Sequence, residues 1–415
     1  MKAASKSPSF VFTFASTMSS SPITADAWFA SGQRVLYNTK HKTIVDEKKK
    51  ETIKVFEKIV MPPHSNSEGK WLTMLPGFPT GSFGFSKIES LLQQNQNLNG
   101  DVPRLYVEYV GQGNSDKPKE GTYLYNTIER ANLVEALWKA HNVKTTIIVS
   151  MDFSSLVMLE LLARQKAREA KGIRYPRMEH VLSVNGSYFA DGHAHTGLGN
   201  NTPLIRDKFG SVSSGAAQRS DMIFKKMLSP LFSAEYRKAH AKGCRKETKE
   251  ILKAVRLHQG ARIMAPTATF VDEHKQRADR WNLRTLYGSY CTDHNISFHI
   301  LSSEKDPFEA EQATLVKYRM KEYSQNVRTE RLSGGYFACF EQADKLVSAI
   351  VSLVHKAKEV REKPQKSWAI VEPSPTASLA TTNSESQLSW TSSSTRTATV
   401  DYGLGSSSSS FGLAY

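Results

Sequence analysis

Three loops in this sequence carry side chains that could do chemistry, and each follows an apolar run typical of a buried strand. The loop Ser150-Met151-Asp152-Phe153-Ser154 lies between the run TTIIV and a long helical pattern, SSLVMLELLARQKAREAK. A carboxylate at the end of a buried strand must be hydrogen-bonded or paired, because desolvating it without a partner is costly. Asp152 is therefore either a helix cap or a nucleophile that the N-terminus of the helix keeps ionised.

The other two loops contain groups that such a nucleophile needs. Residues 75–85, LPGFPTGSFGF, follow the run WLTML, and their backbone N–H groups could form part of an oxyanion hole, although a Pro-Gly turn is the simpler interpretation. Asp306 follows the run ISFHIL in SSEKDPFEAEQ, where it is either an N-cap or an acid that orients a base. Folds that present a nucleophile on a strand-to-helix elbow use this chain order, and they also need a histidine after the last strand.

The elements that must position these loops alternate along the chain. Apolar runs typical of strands recur between helical patterns, which predicts an α/β fold: a mostly parallel sheet with helices on both faces. The runs are TIKVFEKIV, WLTML, RLYVEYV, TTIIVS, HVLSVNG, ISFHIL and VRTERL. The alternation breaks between about Phe189 and Ser289. The sequence therefore predicts a core over residues 26–189 and 290–362, with a mainly helical cap, residues 190–289, inserted after the sixth strand.

Both ends of the chain differ from the middle in composition. Residues 1–25 are basic, rich in serine and free of acids, which predicts a disordered or targeting leader. Residues 363–415 are rich in serine and threonine and poor in apolar residues, which predicts a disordered tail. No run approaches the roughly 20 apolar residues of a membrane helix. We expect a soluble or peripheral body, and an organelle or the endoplasmic reticulum remains an open alternative for its location.

The net charge of +15 suits an anionic partner. Much of it lies between Glu235 and Arg262, where basic and acidic residues share helical repeats. A solvated helix face is the simpler interpretation, and peripheral binding to an anionic membrane surface around Arg245 and Lys246 is the alternative. No base-reading motif accompanies this segment, so we expect no nucleic acid partner. The three cysteines match no metal or redox spacing, and we expect neither a metal nor a cofactor.

Between about residues 26 and 355 the sequence resembles the α/β-hydrolase superfamily, in its epoxide hydrolase and haloalkane dehalogenase branch. The similar segments are ADAWFASGQRVLYN, LPGFPTGSFGFSKIESLL, VEYVGQGNSDKP, IIVSMDFSSLVMLELLAR, SVNGSYFADGH and FHILSSEKDP. The segment VGQGNSDKP is the most specific, because it is similar to the branch's G-x-G-x-S-D-K-P loop. The group that includes the mesoderm-specific transcript protein, with W-x-x-S-G near its start, is similar in pattern.

The resemblance implies a two-step hydrolysis of a small apolar electrophile. Asp152 would attack an electrophilic carbon and form an ester, and Asp306 would orient a histidine that activates water to hydrolyse that ester. The resemblance also implies that the backbone N–H groups of Phe78 and Phe153 hold the oxyanion. Cap tyrosines polarise epoxide oxygens in such proteins, and the candidates for that role here are Tyr236 and Tyr287.

Several residues depart from the pattern of the branch. Pro76 stands in place of the oxyanion-loop histidine, and Pro has no N–H to donate. Ser150 and Ser154 replace elbow glycines, and Glu108 replaces an aspartate before the glycine-rich loop. Phe153 is not the tryptophan with which dehalogenases hold halide, and this favours epoxide or ester chemistry over dehalogenation.

The main departure lies in the terminal loop, LSGGYFACFEQADKL, where Tyr336 stands at the position of the catalytic histidine. A tyrosine with an unperturbed pKa of about 10 is a poor base at neutral pH. His193 or His195 at the start of the cap could replace it, and His294 and His299 beside the seventh strand are less favourable. We therefore expect impaired turnover. The alternatives are a non-catalytic binding or scaffold protein and an active hydrolase with a non-standard base.

Overall fold

The computed structural model of the protein describes residues 23–38, 52–62, 69–95, 102–118, 123–193, 228–257, 270–309 and 311–362. All of them belong to one compact unit, Met1–Pro364, and a second unit, Gln365–Tyr415, lies wholly outside the described residues. The predicted leader lies outside them up to residue 22, and so does the predicted tail from residue 363 onward.

Eight strands and eleven α-helices make up the described part of the first unit. The strands are β1 (Gln33–Asn38), β2 (Thr52–Val60), β3 (Lys70–Leu75), β4 (Arg104–Val107), β5 (Thr145–Met151), β6 (Arg177–Val184), β7 (Ser297–Lys305) and β8 (Val327–Gly335). The helices are α1 (Ala25–Ala30), α2 (Ser86–Gln94), α3 (Thr127–Ala140), α4 (Ser154–Glu169), α5 (Ala234–Ala239), α6 (Ala241–Arg256), α7 (Phe270–Gln276), α8 (Leu283–Asp293), α9 (Gln312–Arg319), α10 (Ala338–Glu341) and α11 (Ala343–Glu362). Among these described helices, none combines the length and the apolar character needed to cross a bilayer.

One eight-stranded sheet, in the order β1-β2-β4-β3-β5-β6-β7-β8, forms the centre of the unit. β1 pairs with β2 and β2 pairs with β4 in antiparallel fashion, and the remaining neighbours are parallel. β4 lies on one side of β3 and β5 on the other, so the winding of the chain reverses at β3. Because β3 and β5 to β8 are parallel, their carboxyl ends share one edge of the sheet, where ligands bind in open α/β folds.

Side chains alternate between the two faces of the sheet and enter an apolar core on each face. On β5, Ile147 and Val149 enter the core that α2 and α11 cover, whereas Ile148 enters the core that α3, α4 and α8 cover. Because both faces are buried, β5 has an unbroken β-branched sequence instead of an alternating one. The predicted mostly parallel sheet with helices on both faces is confirmed.

The seven apolar runs predicted as strands all lie in strands, with ends that differ by a few residues. The sequence pattern did not reveal β1. This strand is at the edge of the sheet, pairs only with β2 in the described part of the chain, and exposes most of its residues. An edge strand of this kind buries too little apolar surface to produce a recognisable pattern.

Residues 185–296 separate β6 from β7, although these two strands are parallel neighbours. In the described parts of this segment the regular elements are helical: α5 to α8 and short 3-10 turns. Residues 194–227 and 258–269 of the predicted cap lie outside the described residues. The segment contacts the sheet edge at Leu231, whose carbonyl accepts a hydrogen bond from Tyr336 N at 2.9 Å.

A buried carboxylate organises two glycine-containing loops beside the sheet edge. Glu108, which follows β4, accepts hydrogen bonds from the backbone N–H of Ser82 at 3.1 Å and from its hydroxyl at 2.5 Å. Burial raises the pKa of Glu108 to about 7. Gly81 and Gly113 lie against it with φ of +58° and +41°, in the left-handed region that favours glycine. Glu108 thus shapes the loop of residues 75–85.

Gly81→Ala is expected to destabilise the protein more than Gly172→Ala. Both glycines have positive φ, +58° and +66°, so backbone strain is common to the two variants. A Cβ at residue 81 would lie 2.0 Å from Glu108 Oε1, whereas one at residue 172 would meet nothing within 4 Å. The expected additional loss for Gly81→Ala is about 2 kcal/mol of unfolding free energy, measured by chemical denaturation. Equal losses would show that Glu108 does not restrict the loop.

Candidate active site

Asp152 occupies a sharp turn between β5 and α4. Its φ is +55°, which is uncommon for a residue with a side chain. Hydrogen bonds close the turn, from Asp152 N to Val184 O at 2.9 Å and from Ser155 N to Asp152 O at 3.0 Å. Gly77 approaches so closely that a Cβ there would lie 3.1 Å from the Cβ of Asp152. The side chain of Asp152 is therefore held at the carboxyl edge of the sheet, as a nucleophile elbow requires.

The serines predicted as small replacements for the elbow glycines also make hydrogen bonds. Ser154 Oγ donates to the carbonyl of Pro76 and lies 2.9 Å from the hydroxyl of Tyr109. Ser150 Oγ donates to Ser183 Oγ at 2.8 Å. These bonds connect the elbow to the loop after β3 on one side and to β6 on the other.

The Asp152 carboxylate accepts a hydrogen bond from the backbone N–H of Phe78, with N and Oδ2 3.0 Å apart. Burial raises the pKa of Asp152 to about 7, against the opposing effect of this bond. The charge of Asp152 therefore changes near neutral pH. Of the two N–H groups that the resemblance implies for the oxyanion, that of Phe78 donates to this carboxylate.

Asp306 lies beyond β7 at the same sheet edge, and one of its two oxygens is unpartnered. Oδ1 accepts hydrogen bonds from Phe308 N at 2.8 Å and Glu309 N at 3.4 Å, as a capping residue does. Oδ2 is buried and has no hydrogen-bond partner within the described ranges. Burial, together with the neighbouring carboxyl of Asp152, raises the pKa of Asp306 to about 7. An unpartnered buried oxygen is costly, and loss of an imidazole would leave one behind.

Tyr336 is held by three hydrogen bonds. Its N–H donates to Leu231 O at 2.9 Å, its carbonyl accepts from Asn185 Nδ2 at 3.0 Å, and its hydroxyl donates to Phe78 O at 2.5 Å. Burial raises the pKa of the Tyr336 hydroxyl well above its ordinary value, and the neighbouring carboxyls raise it further. A phenol with its hydrogen committed and its pKa raised does not act as a base at neutral pH.

Asn185 is a residue of this site that the sequence patterns did not single out. Its side chain joins three strand ends, because Oδ1 accepts from Ser303 N at 2.8 Å while Nδ2 donates to Tyr336 O. Its φ is +51°, a backbone conformation that asparagine tolerates better than most residues. The Asn-Gly pair at the end of the run HVLSVNG is a turn signal that could have indicated it.

The cavity over Asp152 is small. Its volume is about 10 Å³, enough for about one water molecule. The oxyanion loop lines one side through Gly77, Phe78 and Thr80, and the loop after β8 lines the other with Tyr336 and Cys339. The ring of Tyr336 occupies the space between the two loops, and burial raises the pKa of the Cys339 thiol.

A second polar cluster lies beside the loop after β7 that carries Asp306, which we call the acid loop. This cluster consists of Glu309, His193 and His274, and we call it the Glu309 chain. Glu309 Oε1 lies 2.8 Å from His193 Nδ1, and His193 Nε2 lies 2.8 Å from His274 Nδ1. His274 Nε2 lies 2.8 Å from the carbonyl oxygen of Trp281. Burial lowers the pKa of both histidines to about 4, so both rings are neutral at pH 7.

These contacts, taken together with neutral rings on both histidines, indicate where the hydrogens of the Glu309 chain lie. The Trp281 carbonyl only accepts, so His274 carries its hydrogen on Nε2 and accepts on Nδ1. His193 then donates from Nε2 and accepts on Nδ1, and the donor to Nδ1 must be Glu309. Glu309 is therefore a neutral carboxylic acid, and burial raises its pKa to about 8.

The Glu309 chain gives no support to His193 as the replacement base, because both of its ring nitrogens are engaged within the chain. His195, the other candidate, lies outside the described residues. Within the described ranges, no group of His, Cys, Asp and Glu side chains is arranged to hold a metal ion. The Glu309 chain instead connects the acid loop to the start of the insertion and to α7.

The two cap tyrosines considered as polarising groups are engaged elsewhere. Tyr236 donates its hydroxyl hydrogen to Glu247 at 2.9 Å, within the insertion. Tyr287 donates to Ile296 O at 3.0 Å and is fully buried in the core. In the part of the chain that the structure describes, neither hydroxyl contacts Asp152. The expectation that either one polarises a substrate beside Asp152 finds no support in this geometry.

Comparison with solved structures identifies the fold. The chain is similar to a thermophilic esterase from Thermogutta terrifontis at 13% identity, with a TM-score of 0.53, over 78% of this chain and 98% of the esterase. It is also similar to an α/β-hydrolase enzyme from a Medee basin deep-sea metagenome library at 11% identity, with a TM-score of 0.52, over 77% of this chain and 97% of that enzyme. The sequence matches no family model and no curated protein. The protein has the α/β-hydrolase fold that the resemblance implied.

A neutral Glu309 should make the stability of the protein depend on pH. The pKa of Glu309 is raised from 4.5 to about 8 on folding, so its contribution is full below 4.5 and is lost as the pH rises through 8. Glu309→Gln keeps a neutral donor for His193 and removes the titration. We expect the unfolding free energy of this variant, relative to the unmodified protein, to increase by about 4 kcal/mol between about pH 5 and pH 9.

Glu309→Ala is the matched control, because it removes the donor together with the titrating group. It should lower the unfolding free energy by about 1–3 kcal/mol even at low pH, since His193 Nδ1 is left buried without a donor. Chemical denaturation at a series of pH values measures both variants. A difference between Glu309→Gln and the unmodified protein that stays constant with pH would contradict a neutral Glu309.

Proposed function

We propose that this protein belongs to the epoxide hydrolase and dehalogenase branch and that Asp152 forms an ester with a small apolar electrophile. With an epoxide, the bond from Asp152 to carbon forms while the ring C–O bond breaks, and the alkoxide gains a proton from water. The N–H groups of Phe78 and Phe153 would hold the second carboxylate oxygen. We propose that hydrolysis of the ester is slow or absent. The similarity to the group of the mesoderm-specific transcript protein is part of this proposal.

The observation that carries the proposal is the unpartnered Asp306 Oδ2 near Tyr336. In an active relative, an acid at this position would bond to the imidazole that takes a proton from water. Tyr336 instead donates its only hydroxyl hydrogen to Phe78 O, and its raised pKa makes it unsuitable as a base. Loss of the base affects the second step, hydrolysis, and leaves the nucleophile of the first step in place.

A non-catalytic binding or scaffold role is the second candidate, and the cavity volume favours it. A cavity of about 10 Å³ does not admit even a small epoxide without movement of the surrounding loops. In that case Asp152 and Asp306 would serve as buried carboxyls that connect loops. An active hydrolase with a non-standard base has less support, because Tyr336 and His193 are both engaged in other hydrogen bonds.

Incubation with a small terminal epoxide should add the mass of one epoxide to the intact chain, and the added mass should persist. Peptide mapping should locate it on Asp152 and not on Cys339, which lines the same cavity. Asp152→Asn should form no such product. Sustained release of diol by the unmodified protein would contradict the proposed block. Absence of both adduct and diol would favour the binding role.

Tyr336→His should release diol over many turnovers, because an imidazole at this position can bond to Asp306 Oδ2 and take a proton from water. The expected gain over the unmodified protein is on the order of 100-fold or more. Tyr336→Phe removes the hydroxyl without adding a base and should show no gain. Asp306→Asn, added to Tyr336→His, should remove most of the gain. Equal diol release by the histidine and phenylalanine variants would argue against a missing base.

A further inference from the structure

One face of α6 carries Arg256 and a row of five further cations, which we call the basic stripe. They recur at i, i+3, i+4, i+7 and i+11 of the helix and are Lys242, Arg245, Lys246, Lys249 and Lys253. With 3.6 residues per turn, this spacing places all five within about 100° around the helix axis. All five are exposed. The opposite face, which includes Cys244, Ile251 and Val255, is buried in the apolar core.

The acids of this segment make their hydrogen bonds and ion pairs away from most of the basic stripe, and only at Lys253 does one of them, Glu250, act with Asp26 to raise the pKa of a stripe cation. Glu247 is largely buried and accepts from the Tyr236 hydroxyl at 2.9 Å. Glu250 Oε2 accepts from the backbone N–H of Ala25 at 2.8 Å. Glu235 pairs with a lysine at the end of β7. Of these acids, Glu247 is mostly covered by the protein and Glu250 is half-buried, whereas Glu235 is exposed.

A single described acid pairs with the basic stripe: Asp26 with Lys253. The other four cations of the stripe have no ion-pair partner among the described acids. Arg237 and Lys238 of α5 are also exposed and extend the positive surface beyond the N-terminus of α6. A simple solvated face would carry cations and acids in similar numbers, whereas here the exposed cations outnumber the exposed acids Asp26 and Glu235.

We infer that the basic stripe docks the protein onto an anionic lipid surface, a role beyond the chemistry proposed at Asp152. Clusters of four to eight Lys and Arg on a helix attract acidic headgroups through charge alone, so the helix needs no exposed apolar anchor. Lipid is favoured over nucleic acid for two reasons. Four of the six cations on this face of α6 are lysine, whereas bidentate reading of bases and phosphates favours arginine. α6 also contains no aromatic residue on which a base could stack.

Flotation of the full chain with lipid vesicles tests this inference. The chain should bind vesicles of phosphatidylcholine with about one-third phosphatidylserine, should not bind phosphatidylcholine alone, and should be released between about 0.1 M and 0.5 M salt. The triple variant Lys242→Glu, Lys246→Glu and Lys249→Glu should bind at least about 100-fold more weakly, because each cation near the surface strengthens binding about fivefold.

A control with the same change in net charge separates position from total charge. Lys139→Glu, Lys171→Glu and Lys317→Glu alter three exposed positions outside α5 and α6 and should bind within about threefold of the unmodified chain. Equal loss in the two triple variants, or unchanged binding by the α6 variant, would overturn the inference. Binding of duplex DNA but not vesicles, lost in the α6 variant alone, would assign the surface to nucleic acid. None of these results bears on adduct formation at Asp152, which is measured separately.

Discussion

The hydrogen bond from the Tyr336 hydroxyl to the Phe78 carbonyl, 2.5 Å long, is the interaction on which the geometry of the candidate site depends. The backbone N–H of the same Phe78 donates to Asp152 Oδ2 at 3.0 Å. The backbone of Phe78 therefore connects two parts of the site. Its carbonyl is bonded to Tyr336 in the loop after β8, and its N–H is bonded to the carboxylate of Asp152. Tyr336 therefore stabilises the loop of residues 75–85 against the elbow.

Burial of three carboxyls at one edge of the sheet determines the charge of the site. Burial is the largest cause of the raised pKa of Asp152 and Asp306, about 7 each, and of Glu309, about 8. Neighbouring carboxyls do not all ionise readily in a buried region without a cation. The Glu309 chain resolves part of this conflict, because it keeps one of the three neutral through a hydrogen bond to His193. Asp306 Oδ2 has no donor among the described residues, so the burial of this carboxyl is only partly compensated.

The fold and the elbow were predictable because they leave local patterns in the sequence. β5 is buried on both faces and reads as an unbroken β-branched run, and Asp152 follows it directly. The sequence pattern also predicted Asp306 after β7 and the helical character of the segment between β6 and β7, in the parts that the structure describes.

The remaining features depend on contacts between residues far apart in the chain. Glu309 and His193 are 116 residues apart, and His193 and His274 are 81 apart, so no spacing rule could pair them. In the sequence, acidic and basic residues of α6 are mixed. The helix turns neighbours such as Lys246 and Glu247 toward different directions, and this separates their charges only once one face of the helix is buried. The small volume over Asp152 depends on the packing of the Tyr336 ring, which no local pattern contains.

Isotope content of the Asp152 peptide is the most direct measure of whether this residue attacks without release. The full chain would be incubated with a terminal epoxide in water labelled with oxygen-18. The mass of the peptide that contains Asp152 would then be measured by mass spectrometry. Hydrolysis of an ester by attack of water on its carbonyl carbon leaves one water oxygen in the carboxylate. We expect an alkylated peptide without heavy oxygen. An unalkylated peptide carrying heavy oxygen at Asp152 would contradict the proposed block, because it would show an ester that had formed and been hydrolysed.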